Sequence, residues 1–443
     1  MARWTEQQVA QLAPDAASVA AARKLAKPGP WFDTGSTDAL VWGKCQGSGA
    51  TPYQVSVDLT GPAFKCSCPS RKFPCKHGLA LLLLWVGGDG SVADAETPAD
   101  FADDWAKQRQ GRSAGSPAAA AKPSQPVDPA LRAKRVAQRQ ATMTAGLSDF
   151  GLWLADLVRN GLAGLRQQPY RFWDDAAARL VDAQLPGLAE RVRAMGSTVA
   201  SDPDWIDALL VEIGRWWTAT QAWRSFDELP VQVVGNLRAY VGWPYSSEEI
   251  RRGDVVTDQW QVLGVHRTEE GRLQLQRTWL HGAQSGEVVV VLDFANVGGT
   301  LGVAKVVGSV VDATVARYPG TWPRRAIFVE EPTVVAARAT LPAPASIDDH
   351  LVRLADAIAA GPWVDRIPVT IRAASMGIDR ADGRPDRAWV ADPFGASLPL
   401  VPDAAVWPLL AWTGGHAVDL FGELQDGAIR PLTIAVGDAL VSL

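Results

Sequence analysis

Three cysteines and one histidine with metal-ligand spacing lie in the N-terminal part of the chain. Cys66 and Cys68 form a Cys-x-Cys pair, and Cys75 and His77 form a Cys-x-His pair after the gap 69–74. Side chains two positions apart on an extended strand point to the same face, so each pair can present both members to one ion. Zinc in structural sites takes four ligands and accepts thiolate and imidazole together. The spacing predicts one structural Zn²⁺ bound by all four residues, with no coordination position left open for catalysis.

Basic side chains surround the predicted zinc ligands. They are Lys65, Arg71, Lys72 and Lys76, and no Asp or Glu occurs between residues 61 and 86. A positive field keeps thiols deprotonated and therefore favours metal loading. The same four cations are candidate contacts for nucleic-acid phosphates, and four contacts would give a salt slope of about −3.6, or a roughly hundredfold loss of affinity between 50 and 200 mM salt. A solvated basic rim that serves only the thiolates and solubility is the alternative interpretation.

Two alternatives concern the cysteines themselves. The cluster could be ordinary reduced or disulfide-bonded cysteines beside an unrelated histidine, because cysteine frameworks mark secreted chains and metal clusters mark intracellular ones. The first residues, Met1 to Glu6, contain no apolar core of a secretory signal, which favours a reducing cytoplasm and a metal site. Cys45 lies outside the four, in a glycine-rich turn. It either replaces or supplements a ligand, or it is a buried, inert thiol.

The ligands and their flanks resemble a SWIM zinc finger. The resemblance is carried by Gly43–Gly49 (GKCQGSG), Tyr53–Leu59 (YQVSVDL), the Cys-x-Cys and Cys-x-His pairs, and the apolar run Leu79–Trp85. Over residues 31–90 the chain is similar to the bacterial SWIM zinc finger family. The resemblance implies two strands followed by a helix, with zinc pinning the strands to the helix start.

The resemblance also implies a kind of function. Similar modules occur in SWI/SNF-type ATPases, Mutator-type transposases and some signalling kinases, where they are credited with binding DNA or other proteins. Longer bacterial forms are often encoded beside MoxR-type AAA ATPases and von Willebrand A-domain proteins. The expected partners are therefore a protein, of the AAA ATPase or von Willebrand A-domain kind, with DNA as a weaker ligand.

Length and composition indicate a soluble chain of several domains. The 443 residues are 47% hydrophobic and 21% charged, which is typical of globular proteins. The longest apolar runs, Leu79–Val86 and Val288–Leu292, are far shorter than the ~20 residues that a membrane helix needs. We therefore expect a cytoplasmic protein without membrane contact. The net charge of −5 lacks the basic bias of a nonspecific nucleic-acid coat, so any nucleic-acid contact must come from a local patch.

Composition shifts predict an α+β multidomain fold in four parts. Residues 1–90 form a ββα SWIM zinc-finger domain, and residues 91–127, rich in Ala, Ser and Pro, form a flexible linker. Residues 128–245 have helical periodicity and predict a helical bundle, whereas residues 246–443 alternate with period two and predict a mostly β region with one helix.

Details of the last two parts are also predicted. Asp202-Pro203 indicates the start of a helix with an inward stripe of Ile206, Leu209, Leu210, Ile213 and Trp217. The C-terminal helix is expected over 347–359, and the strands after it, with Leu409-Leu410 among them, could close into a small barrel. No internal repeat is visible in the sequence. Most of the 19 tryptophans lie in apolar stretches and are expected to fill cores, whereas an exposed ring could hold a peptide or a glycan.

No catalytic residue is predicted. The histidines beyond His77 show no metal-ligand spacing, no cysteine follows Cys75, and the chain contains neither a Gly-x-Ser-x-Gly elbow nor a phosphate-binding loop of the Gly-x-x-x-x-Gly-Lys type. Asp293 at the end of an apolar strand and the glycine-rich 298–302 loop are weak candidates for nucleotide binding and are more typical of turns.

Two classes of function remain. The first is a non-enzymatic, zinc-stabilised interaction protein whose finger binds a protein or DNA. The alternative is a hydrolase or nucleotide-binding C-terminal domain to which the finger delivers substrate. Carboxylates with raised pKa values converging in a C-terminal pocket would favour the alternative.

Overall fold

The computed structural model describes residues 4–14, 16–47, 51–59, 63–68, 70, 72, 74–113, 129–270, 273–296, 301, 305–379 and 387–443. Within these ranges the chain forms an N-terminal sheet with packed helices, a central helical bundle and a C-terminal region of two β-barrels. The predicted α+β multidomain organisation is confirmed. None of the helices in the described ranges combines the length and the hydropathy that crossing a bilayer requires.

The N-terminal module is built on a four-stranded antiparallel sheet. Its strands follow chain order: β1 (Trp31–Ser36), β2 (Leu40–Cys45), β3 (Tyr53–Asp58) and β4 (Ala63–Cys66). Helix α3 (Lys76–Gly87) is buried from His77 to Trp85 because it lies between this sheet and two N-terminal helices, α1 (Glu6–Gln11) and α2 (Ala16–Leu25). An all-round apolar helix needs such cover on every side. The predicted ββα unit is thus β3, β4 and α3, and β1 and β2 widen its sheet.

The chain after α3 also packs on this module. Asp94 forms an isolated bridge with β1, and helix α4 (Asp100–Ser113) packs against Trp42 of β2. The sequence predicts a flexible linker over 91–127. This prediction is wrong for the first part, 91–113, which contains the bridge at Asp94 and helix α4. The helix covers an apolar patch of the sheet that composition alone does not reveal.

The central region is a bundle of helices. They are α5 (Pro129–Arg159), α6 (Arg171–Asp182), α7 (Pro186–Ser201), α8 (Trp205–Arg224) and α9 (Val231–Val241), with short 3-10 helices at Ala163–Gln167 and Phe226–Glu228. Trp173 and Trp216 are among the largest side chains that the bundle buries. The predicted helical bundle is confirmed.

The buried stripe of α8 differs from the predicted one. Ile206, Leu210 and Trp217 are 45%, 51% and 44% exposed, so three of the residues predicted to face inward face solvent. The core side of the helix carries Trp205, Leu209, Trp216 and Trp223. The helix also begins two residues after the predicted Pro203. The wide indole rings determine which side faces the core, because they fill the space between helices that smaller side chains would leave empty.

The first C-terminal barrel closes from five strands. They are β5 (Val255–Glu270), β6 (Leu273–Gly282), β7 (Val288–Asn296), β8 (Ser309–Arg317) and β9 (Arg324–Phe328). All neighbouring pairs are antiparallel except β7 and β9, which run parallel. Because β8 pairs with both β5 and β9, the sheet closes into a ring in the order β5, β6, β7, β9, β8. Counted along the chain, this is the order 1-2-3-5-4. This is the strand order of the OB fold, a five-stranded Greek-key barrel.

The second barrel repeats the same order. Its strands are β11 (Arg366–Asp379), β12 (Arg387–Ala391), β13 (Ser397–Pro399), β14 (Val418–Gln425) and β15 (Ala428–Val436). Antiparallel pairs join β13 to β12, β12 to β11, β11 to β14 and β14 to β15. A parallel bridge between Leu400 and Ile429, with a 3.0 Å bond from the amide of Val401 to the Ile429 carbonyl, closes the ring.

Further elements surround the two barrels. These are α10 (Ser247–Arg251), β10 (Thr333–Ala337), α11 (Ile347–Ala360), α12 (Val406–Thr413) and β16 (Ala439–Ser442). Helix α11 corresponds to the predicted helix. Helix α12 corrects the prediction of a strand at Leu409-Leu410: Leu409 is buried in the barrel core, and the helix ends at Gly414, whose φ is 58°. A short apolar run does not distinguish helix from strand by periodicity.

A buried ion pair joins the two barrels. The carboxylate of Glu423, which is 0% exposed, accepts bonds from Arg277 Nε at 3.0 Å and from Trp279 Nε1 at 2.8 Å. Arg366 adds a contact of 3.4 Å. Burial opposes ionisation, but the cations of Arg277 and Arg366 hold the pKa of Glu423 below its usual value. The charged form of Glu423 is therefore part of the folded structure.

Replacing Glu423 with Ala should destabilise the barrels by about 3–5 kcal/mol, because it leaves the buried Arg277 cation without its carboxylate. Urea denaturation at pH 7 measures this, and Glu423→Gln, which can still accept from Trp279, should cost less. Since the folded pKa is lowered, the stabilisation is present above the ordinary glutamate pKa and disappears as the pH falls through the folded value. A loss below about 1 kcal/mol for Glu423→Ala would contradict this account.

Candidate metal centre

Strand β4 and helix α3 deliver the four predicted ligands to one place. Cys66 is the last residue of β4, and Cys68 follows two positions later. Cys75 is the N-cap of α3, with φ −74° and ψ 163°, and His77 lies in the first helical turn. A helix N-terminus favours negative charge, which suits a thiolate at the N-cap.

Close packing holds the helix start against the strand. A Cβ atom added to Gly78 would lie 2.7 Å from the ring of Phe64 in β4, so only glycine allows this approach. Contact with β3 continues one residue past β4: the Ser67 amide donates to the Gln54 carbonyl at 3.1 Å, and the Gln54 amide donates to Ser67 Oγ at 3.0 Å. These contacts fix Cys66 and Cys68 opposite the helix start.

The donor atoms fit one tetrahedral ion. The three sulfurs and the nearest imidazole nitrogen all lie within 4.8 Å of one another. Nδ1 of His77 is 3.8 Å from Cys66 Sγ and 4.0 Å from Cys75 Sγ. A tetrahedral zinc with metal–sulfur bonds of about 2.3 Å separates its ligand atoms by roughly 3.8 Å. The group is positioned to bind one zinc ion, and His77 faces it through Nδ1.

The three thiols differ in acidity. A hydrogen bond with Cys66 lowers the pKa of Cys75 to about 4, although burial opposes this shift. The same interaction, together with burial, raises the pKa of Cys66 above its usual value, and burial raises that of Cys68. The hydrogen bond between Cys66 and Cys75 therefore favours the thiolate at Cys75 over that at Cys66. Cys66 and Cys68 need a cation between the sulfurs to ionise, because three negative charges at this distance repel one another.

Two neighbours of the centre are not ligands. Cys45 is buried and lies outside the group of four, with its sulfur 4.0 Å from the carbonyl oxygen of Gln46. Burial raises the pKa of Cys45, although the Lys76 ammonium opposes this. Tyr53, which pairs with Cys45 across the sheet, packs its ring 4.9 Å from that of His77. Tyr53 begins one of the segments that resemble the SWIM finger, but nothing in its spacing predicts a contact with a ligand.

The predicted basic rim is exposed where the structure describes it. Lys65, Lys72 and Lys76 all have exposed side chains. Arg71, the fourth predicted phosphate contact, lies outside the described residues. Lys44, in the same sheet, forms a 2.9 Å ion pair with Asp33, so its charge is partly compensated.

Comparison with known protein families agrees with this geometry. Residues 53–85 match the SWIM zinc finger, and residues 138–241 match the SWIM-associated four-helix bundle domain. Residues 53–85 are a SWIM zinc finger. The match covers β3, β4 and α3 and includes all four ligands. Searches of curated proteins and of solved structures found no match to the chain.

Loss of a ligand should unfold the SWIM finger. Structural zinc sites supply about 10–16 kcal/mol in finger peptides, which is comparable with the stability of a small domain. In Cys68→Ser or His77→Ala protein we expect bound zinc to be lost and the N-terminal module to exchange its amide hydrogens rapidly, while the bundle and barrels stay protected. Hydrogen exchange with mass spectrometry resolves the parts, and Cys45→Ser is the control that should retain zinc. Simultaneous loss of protection in the barrels would contradict an independently folding module.

The prediction that His77 binds the ion through Nδ1 can also be tested. Because Nδ1 of His77 faces the sulfurs, the zinc-loaded protein should carry the imidazole proton on Nε2. Long-range ¹H–¹⁵N NMR correlation distinguishes the two tautomers directly. A spectrum with the proton on Nδ1 would show that the ring binds in the opposite orientation.

Proposed function

We propose that the chain is a non-enzymatic, zinc-stabilised interaction protein whose SWIM finger binds a protein partner, with DNA as an accessory ligand. The observation that carries this proposal is the composition of the metal centre. Three cysteines and His77 supply all four donors that structural zinc takes, and exposed lysines lie beside them. Such a centre stabilises the fold of a surface that carries basic side chains, and it does not activate a substrate.

Electrostatics favours protein over DNA as the main ligand. The described rim offers Lys65, Lys72 and Lys76, whereas the whole chain carries a net charge of −5. Three phosphate contacts would give a salt slope of about −2.7, too shallow for tight binding at cellular salt. An acidic protein surface presents fixed charges that can pair with the same lysines and adds apolar contacts that a DNA backbone lacks.

The cavities support an interaction role over a hydrolase. One cavity of about 660 Å³ lies between α1, α2 and the first barrel, and Glu6 is its carboxylate side chain. Another, of about 460 Å³, lies on the second barrel, and its carboxylate side chain is Asp379. Desolvation raises the pKa of Asp293 and of Asp426, and neither lines these two cavities. Among the described lining residues of the two cavities, paired carboxylates with shifted pKa values, which acid–base hydrolysis uses, do not meet.

An assembly with an AAA ATPase or a von Willebrand A-domain protein would fit this role. That expectation rests on the family resemblance. We infer a cytoplasmic location from the reducing environment that zinc-binding thiols require.

Charge variants of the finger test the proposal. We expect Lys65→Gln/Lys76→Gln protein to keep its zinc and to lose the proteins that copurify with the tagged wild type from its native cell. The matched control is Lys134→Gln/Arg135→Gln, which removes the same charge from exposed positions on α5. Retention of every copurifying protein by the finger variant would contradict a finger-mediated interaction.

The DNA component is tested separately. Zinc-loaded wild type and the Lys65→Gln/Lys76→Gln variant are titrated with a 20-base-pair duplex at 50, 100 and 200 mM salt. Each lost phosphate contact should reduce the salt slope by about 0.9. An absence of duplex binding at 50 mM salt would remove DNA from the proposal and leave the protein partner.

A further inference from the structure

The two barrels share a local feature as well as a strand order. In each, a glycine of the first strand pairs directly with a tryptophan of the second strand. Gly264 faces Trp279 in the first barrel, and Gly377 faces Trp389 in the second. This equivalence identifies the barrels as a structural repeat that the sequence did not reveal. It also allows the outer surfaces of the two barrels to be compared position by position.

In the first barrel the surface around the tryptophan is covered. Trp279 is 1% exposed and packs with Phe421 and Leu432 of the second barrel. Its indole N–H donates to Glu423 at 2.8 Å. A Cβ on Gly264 would lie 2.9 Å from Phe421, so the covering barrel fits closely. This face of the first barrel serves as the contact between barrels.

In the second barrel the equivalent surface is open. A groove of about 460 Å³ runs over β12 and β13 and is lined by Trp389, Arg387, Ser397 and Pro399, with Asp379 of β11 at its edge. Alternate residues of a strand share a face, which brings positions 387 and 389 to the same side. Arg387 and Ser397 are exposed, and Trp389 is half-buried.

The indole in this groove is held as a flat platform. A Cβ on Gly377 would lie only 2.1 Å from the ring of Trp389, so the ring lies directly on the glycine backbone. Its N–H donates to Asp379 Oδ1 at 3.0 Å. One side of the ring therefore rests on β11, and the ring borders the groove. A fixed aromatic surface costs little side-chain entropy when a planar ligand stacks on it.

The chemistry of the groove selects a class of ligand. The second- and third-strand face of the OB fold binds oligonucleotides and oligosaccharides. A sugar requires several converging hydrogen-bonding groups, whereas the polar side chains of the described lining are Arg387, Ser397 and an Asp379 already bonded to the indole. A nucleotide requires an aromatic face for its base and a nearby cation for its phosphate, and the groove provides both.

We propose that the β12–β13 groove of the second barrel binds single-stranded nucleic acid, with a base stacked on Trp389 and a phosphate paired with Arg387. The site is separate from the SWIM finger and independent of its proposed function. Among its described lining residues the groove contains one cation, Arg387, facing one anion, Asp379, so stacking dominates over charge there. The affinity should therefore depend weakly on salt, with a slope contribution of about −0.7 from Arg387.

The test uses the full zinc-loaded chain and fluorescein-labelled dT15, followed by fluorescence anisotropy. Removing a stacking ring typically weakens binding by about 5- to 150-fold, and we expect Trp389→Ala to fall in that range. Gly377→Ala should have a similar effect, because its methyl group displaces the indole without removing it. The control is Trp407→Ala, which removes a 68% exposed tryptophan from α12, outside the groove.

Several outcomes would overturn the proposal. One is equal dT15 affinity in the wild type, Trp389→Ala and Trp407→Ala proteins, and another is a complete lack of dT15 binding by the wild type. A third is binding of cellohexaose or chitohexaose that depends on Trp389 and displaces dT15, which would assign the groove to glycans. Duplex dA15·dT15 is measured in parallel: an equal effect of Trp389→Ala on duplex binding would exclude base stacking. The folding control is the melting temperature of Gly377→Ala and Trp389→Ala. A value within about 2 °C of the wild type shows that a loss of dT15 affinity is a local effect.

Discussion

Mutual repulsion of three thiolates is the constraint on which the N-terminal module depends. Cys66, Cys68 and Cys75 lie within 4.8 Å of one another, and a divalent cation between them turns their repulsion into attraction. The ion thereby connects the end of β4 to the start of α3. Helix α3 is buried from His77 to Trp85, so its position also determines where α1 and α2 can pack. One coordination event thus organises most of the module.

The remaining parts of the chain are held together by direct packing. Trp363, which precedes the second barrel, lies in the core of the helical bundle and donates to the carbonyl of Arg215 at 3.2 Å. Val306 of the first barrel belongs to the apolar core of the SWIM module. The finger is therefore docked on the barrels rather than carried as a free head. A partner that binds its lysines meets a surface whose orientation is set by the C-terminal half of the chain.

Local geometry was predictable from sequence and long-range closure was not. The four ligands follow from spacing alone, because two-residue periods of a strand and the first helical turn determine where neighbouring side chains point. Barrel closure depends on β7 meeting β9 and on one bridge between Leu400 and Ile429, pairings that leave no mark in either strand alone. The prediction that Trp217 faces the core is wrong for a related reason. Several apolar stripes are compatible with the α8 sequence, and only packing against neighbouring helices selects one.

The two barrels of the same topology show why the β12–β13 groove could not be predicted from the sequence. Trp279 and Trp389 occupy the same position in the same topology, each opposite a glycine and each donating its indole N–H to a carboxylate. Burial distinguishes the two rings: the second barrel covers Trp279, which is 1% exposed, whereas Trp389 is half-buried and borders a groove. The second barrel thus leaves open the face that the first barrel uses for assembly. On such a face a ligand can take the position that the neighbouring barrel occupies on the first.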